Sequence, residues 1–223
     1  MRSGHTTAIR EDDVLQRGEG SIRVRTYGVE RTGAFSDGVF AIVATLLVLE
    51  IKLPDPPLPG REIGEELIDN IPAFLGWLVS FVVLARFWTV HHHVMDALAR
   101  VSKHTIVWNF VFLGTISLLP FAASLVGTYE FESAGPLVVF TLAFGISAIT
   151  LGLFTHHVAG AEHLRREAKH DLDRLWRHHI LIVPVIAAMA SAAALLHPAL
   201  ALAVLGAESV GIFVWLHASS GPG

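Results

Sequence analysis

The chain is divided by short polar blocks into apolar stretches of roughly 20 residues, the length of helix that crosses a bilayer's hydrocarbon core. No soluble core needs that repeat. Composition agrees: 52% of the 223 residues are apolar and 16% charged, where soluble domains keep about a quarter charged. Mean hydropathy is +0.55. The chain is expected to be all-α and polytopic, with room for about six such helices and no second sizeable soluble domain.

The first apolar helix is expected from about Thr32 to Leu53, stopped by the loop Pro54-Asp55-Pro56-Pro57-Leu58-Pro59-Gly60. An amphipathic piece, Arg61 to Asn70, leads into a second helix from about Ile71 to Val94. A third covers about Thr105 to Val126, followed by the acidic loop Tyr129-Glu130-Phe131-Glu132 and a fourth from about Pro136 to His157. The charged connection Glu162 to Arg177 precedes helices from about His179 to Leu196 and Ala199 to Leu216, joined at His197-Pro198. Residues 1–30 read as a cytoplasmic N-terminal tail, 31–217 as the six-helix transmembrane domain and 218–223 as a short cytoplasmic C-terminal tail.

Charge bias orients the bundle. Arg10, Arg17, Arg23, Arg25 and Arg31 precede the first helix. Arg100 and Lys103 separate the second and third, and Arg165, Arg166, Lys169, Arg174 and Arg177 the fourth and fifth. The opposite loops offer only Lys52 and Arg61, so both termini are expected in the cytoplasm of a cell with this multi-pass protein in its plasma membrane. The net charge of −4 adds little, and with no cysteine there is no disulfide or thiolate chemistry. No second copy of Phe35-Ser36-Asp37 marks a repeated half, so a pore on a symmetry axis would need several subunits.

Within the first helix, Phe35, Ile42, Leu46 and Leu49 fall on one stripe at spacings of 7, 4 and 3. Thr45 borders it about 60° away, and Asp37 points about 140° from Ile42, toward a different neighbour. Such aliphatic stripes also arise from ordinary helix packing. A carboxylate near membrane depth is costlier and calls for a partner or a function. Arg31, Ser36, Asp37, His91 and Asn109 all lie near the cytoplasmic ends of the first three helices, where each could satisfy another's hydrogen bonds. Glu208 is a further carboxylate in an apolar helix, suited to a hydrogen bond with a neighbour or to proton coupling.

The 13 histidines include the adjacent groups His91 to His93, His156-His157 and His178-His179. Adjacent residues on a helix diverge by about 100°, so no metal site is expected from them, nor any cofactor. Phosphate-binding glycine loops, nucleophile elbows and nucleotide fingerprints are missing, which argues against a soluble-type enzyme or nucleic-acid binding. The Thr-Val-Gly-Tyr-Gly filter of ordinary potassium channels is missing too.

Arg31-x-x-x-Phe35-Ser36-Asp37, continued by Gly38-Val39-Phe40-Ala41-Ile42 and Thr45-Leu46-Leu47-Val48-Leu49-Glu50, resembles the hallmark of the transmembrane protein 175 family of potassium channels. Trp88, His91, Trp108 and Asn109 resemble it also, and the whole chain is similar to the short prokaryotic branch with one six-helix unit per subunit. The resemblance implies a homotetramer in the lipid bilayer with four copies of the first helix lining a central pore for monovalent cations, K+ above Na+. It implies a constriction at Ile42, Leu46 and Leu49, a selectivity-associated layer at Thr45, and a bracing network of Arg31, Ser36, Asp37, His91 and Asn109. Phe35 and Gly38 at the inner mouth receive no firm role. The expectation is a potassium-permeable channel with a hydrophobic constriction and modest selectivity. Its rivals are a proton- or cation-coupled transporter using buried Asp, Glu and His, and a non-conducting membrane scaffold.

Overall fold

Helix boundaries follow from where the backbone loses its donors. The computed structural model describes residues 28–52, 60, 62–129, 134–161, 164–165 and 169–219. All regular elements there are helical, apart from one isolated bridge between Leu98 and Leu164. Helix α1 spans Val29–Val48, α2 Ile63–Asp69, α3 Ile71–Asp96, α4 Lys103–Ile116, α5 Leu119–Thr128 and α6 Ala134–Ala159. Then come α7 (Lys169–Arg177), a π-helical turn (His178–Ile182), α8 (Val183–Ala194) and α9 (Pro198–Ser219). The expected tails lie outside the described residues except for 28–30 and 218–219, as does most of the proline loop after α1.

Five segments among the described residues are long and apolar enough to cross a membrane: Val29–Val48, Ala73–Asp96, Lys103–Val126, Ala134–Ala159 and Lys169–Ala194. The expected sixth crossing falls in α9. The described apolar run in α9, Ala199–Glu208, is shorter. Large apolar side chains cover the outside of the bundle, with Leu181, Val185, Met189, Leu195 and Leu196 all exposed. Helices apolar on both inner and outer faces belong in lipid.

Three boundaries depart from the sequence reading, each for a local reason. Helix α1 ends at Val48, because Leu49, Glu50 and Ile51 donate to the carbonyls of Leu46, Leu47 and Val48 in a tightened final turn. The third crossing is divided into α4 and α5, since Pro120 has no N–H to offer the Ile116 carbonyl. The helix that carries the fifth crossing begins at Lys169, ten residues before the expected His179. Its first two turns bury Leu172 and Leu175 one helical turn apart, while their charged neighbours hide the helix from an apolarity criterion.

Ser102 starts α4 by accepting the Thr105 N–H at 3.1 Å. Nearby, Arg165 N–H donates to the Ala97 carbonyl at 3.0 Å, tying the loops after α3 and α6 together. In the centre Phe87, Phe112, Phe144 and Phe154 are fully buried; Phe87 meets Phe144 and Phe112 at 5.4 and 6.1 Å between ring centroids. Since lipid is as apolar as leucine, close packing rather than water exclusion holds such helices together. Helix α6 accordingly presents small residues. A Cβ at Gly152 would stand 2.7 Å from Ile180 Cγ1 and 3.1 Å from His179 Cβ, and one at Gly145 3.1 Å from Ala187 Cβ. Gly152 therefore lets the π-helical turn lie directly against α6.

Candidate pore face and buried polar clusters

Helix α1 turns Ser36, Phe40, Val43 and Leu47 into the bundle at spacings of 4, 3 and 4. Its other side is not covered by any of the described residues. Ile42 and Leu49 are 61% and 66% exposed, Leu46 42%, and Thr45 is also uncovered. Nothing lies within 4 Å of where a Cβ on Gly38 would be. Ile42, Leu46, Leu49 and Thr45 thus lie on one open apolar face carrying a single hydroxyl. The Thr45 Oγ1 donates to the Ile42 carbonyl at 2.8 Å, leaving its lone pairs turned away from the backbone bond. Phe35 flanks this face, 5.3 Å from the ring of Phe110 on α4.

At the α1–α4 contact, Ser36 Oγ donates to the Thr32 carbonyl at 3.0 Å and accepts from Asn109 Nδ2 at 2.9 Å. Asn109 Oδ1 then accepts from His91 Nε2 at 2.7 Å. An amide oxygen can only accept, so the His91 proton sits on Nε2. All three side chains are buried, with the His91 ring 5.6 Å from each of Phe40, Phe112 and Phe154. The chain Ser36–Asn109–His91 therefore ties α1, α4 and α3 together inside an aromatic box, where each unmade bond would carry a desolvation cost.

Asp37 is not part of that chain. One residue on from Ser36, it is rotated about 100°, and its Oδ1 accepts from Trp88 Nε1 at 2.8 Å. Trp88 in turn stacks on His92 at 5.3 Å. Arg31 is exposed and enters neither arrangement. Of the five residues grouped from sequence, three are joined, Asp37 sits in a separate bond to α3, and Arg31 stands apart. The Asp37–Trp88 bond was within reach of the sequence: an indole only donates and a carboxylate only accepts, at matching depths on adjacent helices.

The sequence singles out Glu208 as a carboxylate suited to bond a neighbouring helix, but not its partner. Arg86, midway along α3, has a side chain 0% exposed and places Nη2 3.0 Å from Glu208 Oε1 on α9, itself 5% exposed. The same Nη2 donates to His179 Nε2 at 3.1 Å, so the His179 proton is on Nδ1, which donates to the Leu175 carbonyl at 2.8 Å. His178 Nε2 lies 3.9 Å from Glu208 Oε1. His178 and His179 open the π-helical turn, His179 meeting Arg86 and His178 meeting Glu208. The ion pair is poorly aligned: Arg86 Nε and Nη1 and both Glu208 oxygens have no hydrogen-bond partner among the described residues. Among those residues, no three His, Asp or Glu side chains converge as a metal site.

The family model described as "Endosomal/lysosomal potassium channel TMEM175" matches residues 31–120, which include the open face of α1 and the Ser36–Asn109–His91 chain. A potassium channel of Chamaesiphon minutus is 31% identical over 155 residues, covering 67% of this chain and 76% of the relative. The human endosomal/lysosomal proton channel TMEM175 is 29% identical over 198 residues, 82% of this chain but 38% of the much longer human protein. Among solved structures, the lysosomal potassium-selective channel TMEM175 homolog from Chamaesiphon minutus superposes with a TM-score of 0.69 at 26% identity, over 83% of this chain and 96% of that one. With about a third of positions shared across three quarters of a curated relative, and the same fold along nearly the whole of a solved one, this chain belongs to the TMEM175 family.

Proposed function

We propose that the protein is a potassium-permeable channel, assembled as a homotetramer in which four copies of α1 surround the pore. The observation that carries this reading is the open face of α1. Within the family-matched segment, Ile42, Leu46, Leu49 and Thr45 are left uncovered by their own subunit. Relatives named as potassium channels and a potassium-selective structural neighbour support the ion assignment. In the tetramer, Ile42 and Leu49 form aliphatic rings nearest the axis, and Leu46, more covered by its own subunit, flanks them. Helix α9, 22 residues long and thus about 33 Å at 1.5 Å per residue, makes a sixth crossing. That returns the C-terminus to the cytoplasmic side with the N-terminus, in the cell membrane.

Rings of aliphatic side chains select by what they fail to supply. A cation entering them sheds water without regaining coordination, and K+, the more weakly hydrated ion, loses less than Na+. Selectivity is therefore modest. Thr45, between the two rings, offers hydroxyl lone pairs as the only side-chain oxygens on the face, so it biases the site toward a partly dehydrated cation. Ser36, Asn109 and His91 hold α1 at a fixed rotation behind this face, and the Asp37–Trp88 bond fixes it against α3.

Replacing Asp37 with Ala is expected to weaken assembly. The lost bond is worth about 1–2 kcal/mol per subunit, and Trp88→Phe should reproduce the effect. Tetramer content on native gels after graded detergent heating reads it out, and an unchanged, conducting tetramer would show the bond to be dispensable. A coupled carrier fits less well: Glu208 is already engaged by Arg86, and Asp37 by Trp88. Liposomes loaded with potassium separate the readings. A channel passes K+ down its gradient without saturating, a carrier saturates, and a scaffold passes none.

A further inference from the structure

A cavity of about 600 Å³ lies between α7, the π-helical turn and α9, away from α1, which contributes nothing to its walls. Its lining includes the cations Arg174 and Arg177 beside His170, and among the described lining residues Asp173 is the single carboxylate. The floor is unfinished, since His178 Nδ1 is buried with no hydrogen-bond partner among the described residues. The rest of the lining includes the apolar Leu181, Ile182 and Gly211. Leu181 continues at helical spacing into an exposed apolar strip along α8 through Val185 and Met189, and Val210 and Val214 of α9 are exposed too. Gly211 lines the cavity from α9, and among the described residues nothing stands within 4 Å of a Cβ there, so the cavity is open on that side.

This lining lies where the charged turns of α7 give way to the apolar crossing, the depth of a lipid headgroup. We propose that this cavity binds the phosphate of an anionic phospholipid headgroup, with an acyl chain lying in the groove along Leu181, Ile182 and Val185. Guanidinium forks match phosphate oxygens, and basic cavities at the membrane boundary are suited to anionic headgroups. The apolar groove decides for lipid over a free anion, since a small soluble anion makes no use of it.

The test measures lipid retention by the purified full chain, by native mass spectrometry from neutral detergent, with phosphatidylglycerol and phosphatidylcholine offered in equal amounts. It requires no ion flux, so its outcome is independent of the channel reading. Wild type is expected to retain phosphatidylglycerol preferentially, and Arg174→Gln/Arg177→Gln to lose that preference by roughly 20-fold. Gly211→Phe, which keeps every charge but fills the open side, is expected to lose it as well. Thermal unfolding shows whether each variant is folded, and two chemically different variants keep the test open if one is not. Excess inorganic phosphate should leave the bound lipid in place. Equal retention of both lipids by wild type, displacement by inorganic phosphate, or full retention in Gly211→Phe would each overturn the proposal.

Discussion

Ile42→Asn is expected to raise potassium flux through the reconstituted protein by roughly tenfold or more, because an amide wets a ring that isoleucine keeps dry. The barrier at an aliphatic constriction is the cost of hydration lost without replacement, and about 1.4 kcal/mol of it accounts for each tenfold in rate. Four amides restore coordination at the point where it is lost. Ile42→Ala separates the causes: it widens the ring but leaves it apolar, so its effect should be smaller. Stability should hold within about 0.5 kcal/mol, since Ile42 is 61% exposed in its own subunit. Liposome flux and single-channel recording check both variants. An unchanged current in Ile42→Asn would remove Ile42 from the constriction.

Breaking the Arg86–Glu208 pair from one side is expected to cost far more stability. The pair lies at 3.0 Å with both side chains almost wholly buried, and the guanidinium sits 5.1 and 5.6 Å from the rings of Phe87 and Phe144. Arg86→Met strands a carboxylate, and Glu208→Leu strands a guanidinium that already has two unpartnered nitrogens. Each should cost about 3–5 kcal/mol, and the double variant should recover much of that loss because it leaves no unpaired charge. Denaturation in mixed micelles, arranged as a double-mutant cycle, measures the coupling. Losses that simply add would show that the two charges do not stabilise one another. Folded double variants should keep their ion preference, since neither residue is on α1.

How far the sequence carries can be judged residue by residue. The apolar runs were legible because the bilayer demands both their length and their composition, and the stripe at Ile42, Leu46 and Leu49 because helical periodicity groups them. Helix α7 was not legible: its signal is two leucines among charges, and only packing shows that Leu172 and Leu175 are buried. Arg86 and Glu208 were each visible as charges in apolar helices, but pairing them requires knowing that α3 and α9 are neighbours. Adjacent histidines read as divergent under α-helical geometry, yet His178 and His179, at the start of the π-helical turn, each meet one member of the Arg86–Glu208 pair. Arg31 and Asp37 shared a depth with Ser36, and depth alone does not say which neighbour a side chain faces.

The most direct test of the channel account is the current of the wild-type protein in a planar bilayer with potassium on one side and sodium on the other. The account predicts a cation current that grows with voltage without saturating, and a reversal potential shifted modestly toward that of potassium. No current, or a reversal potential set by sodium or by the anion, would contradict it.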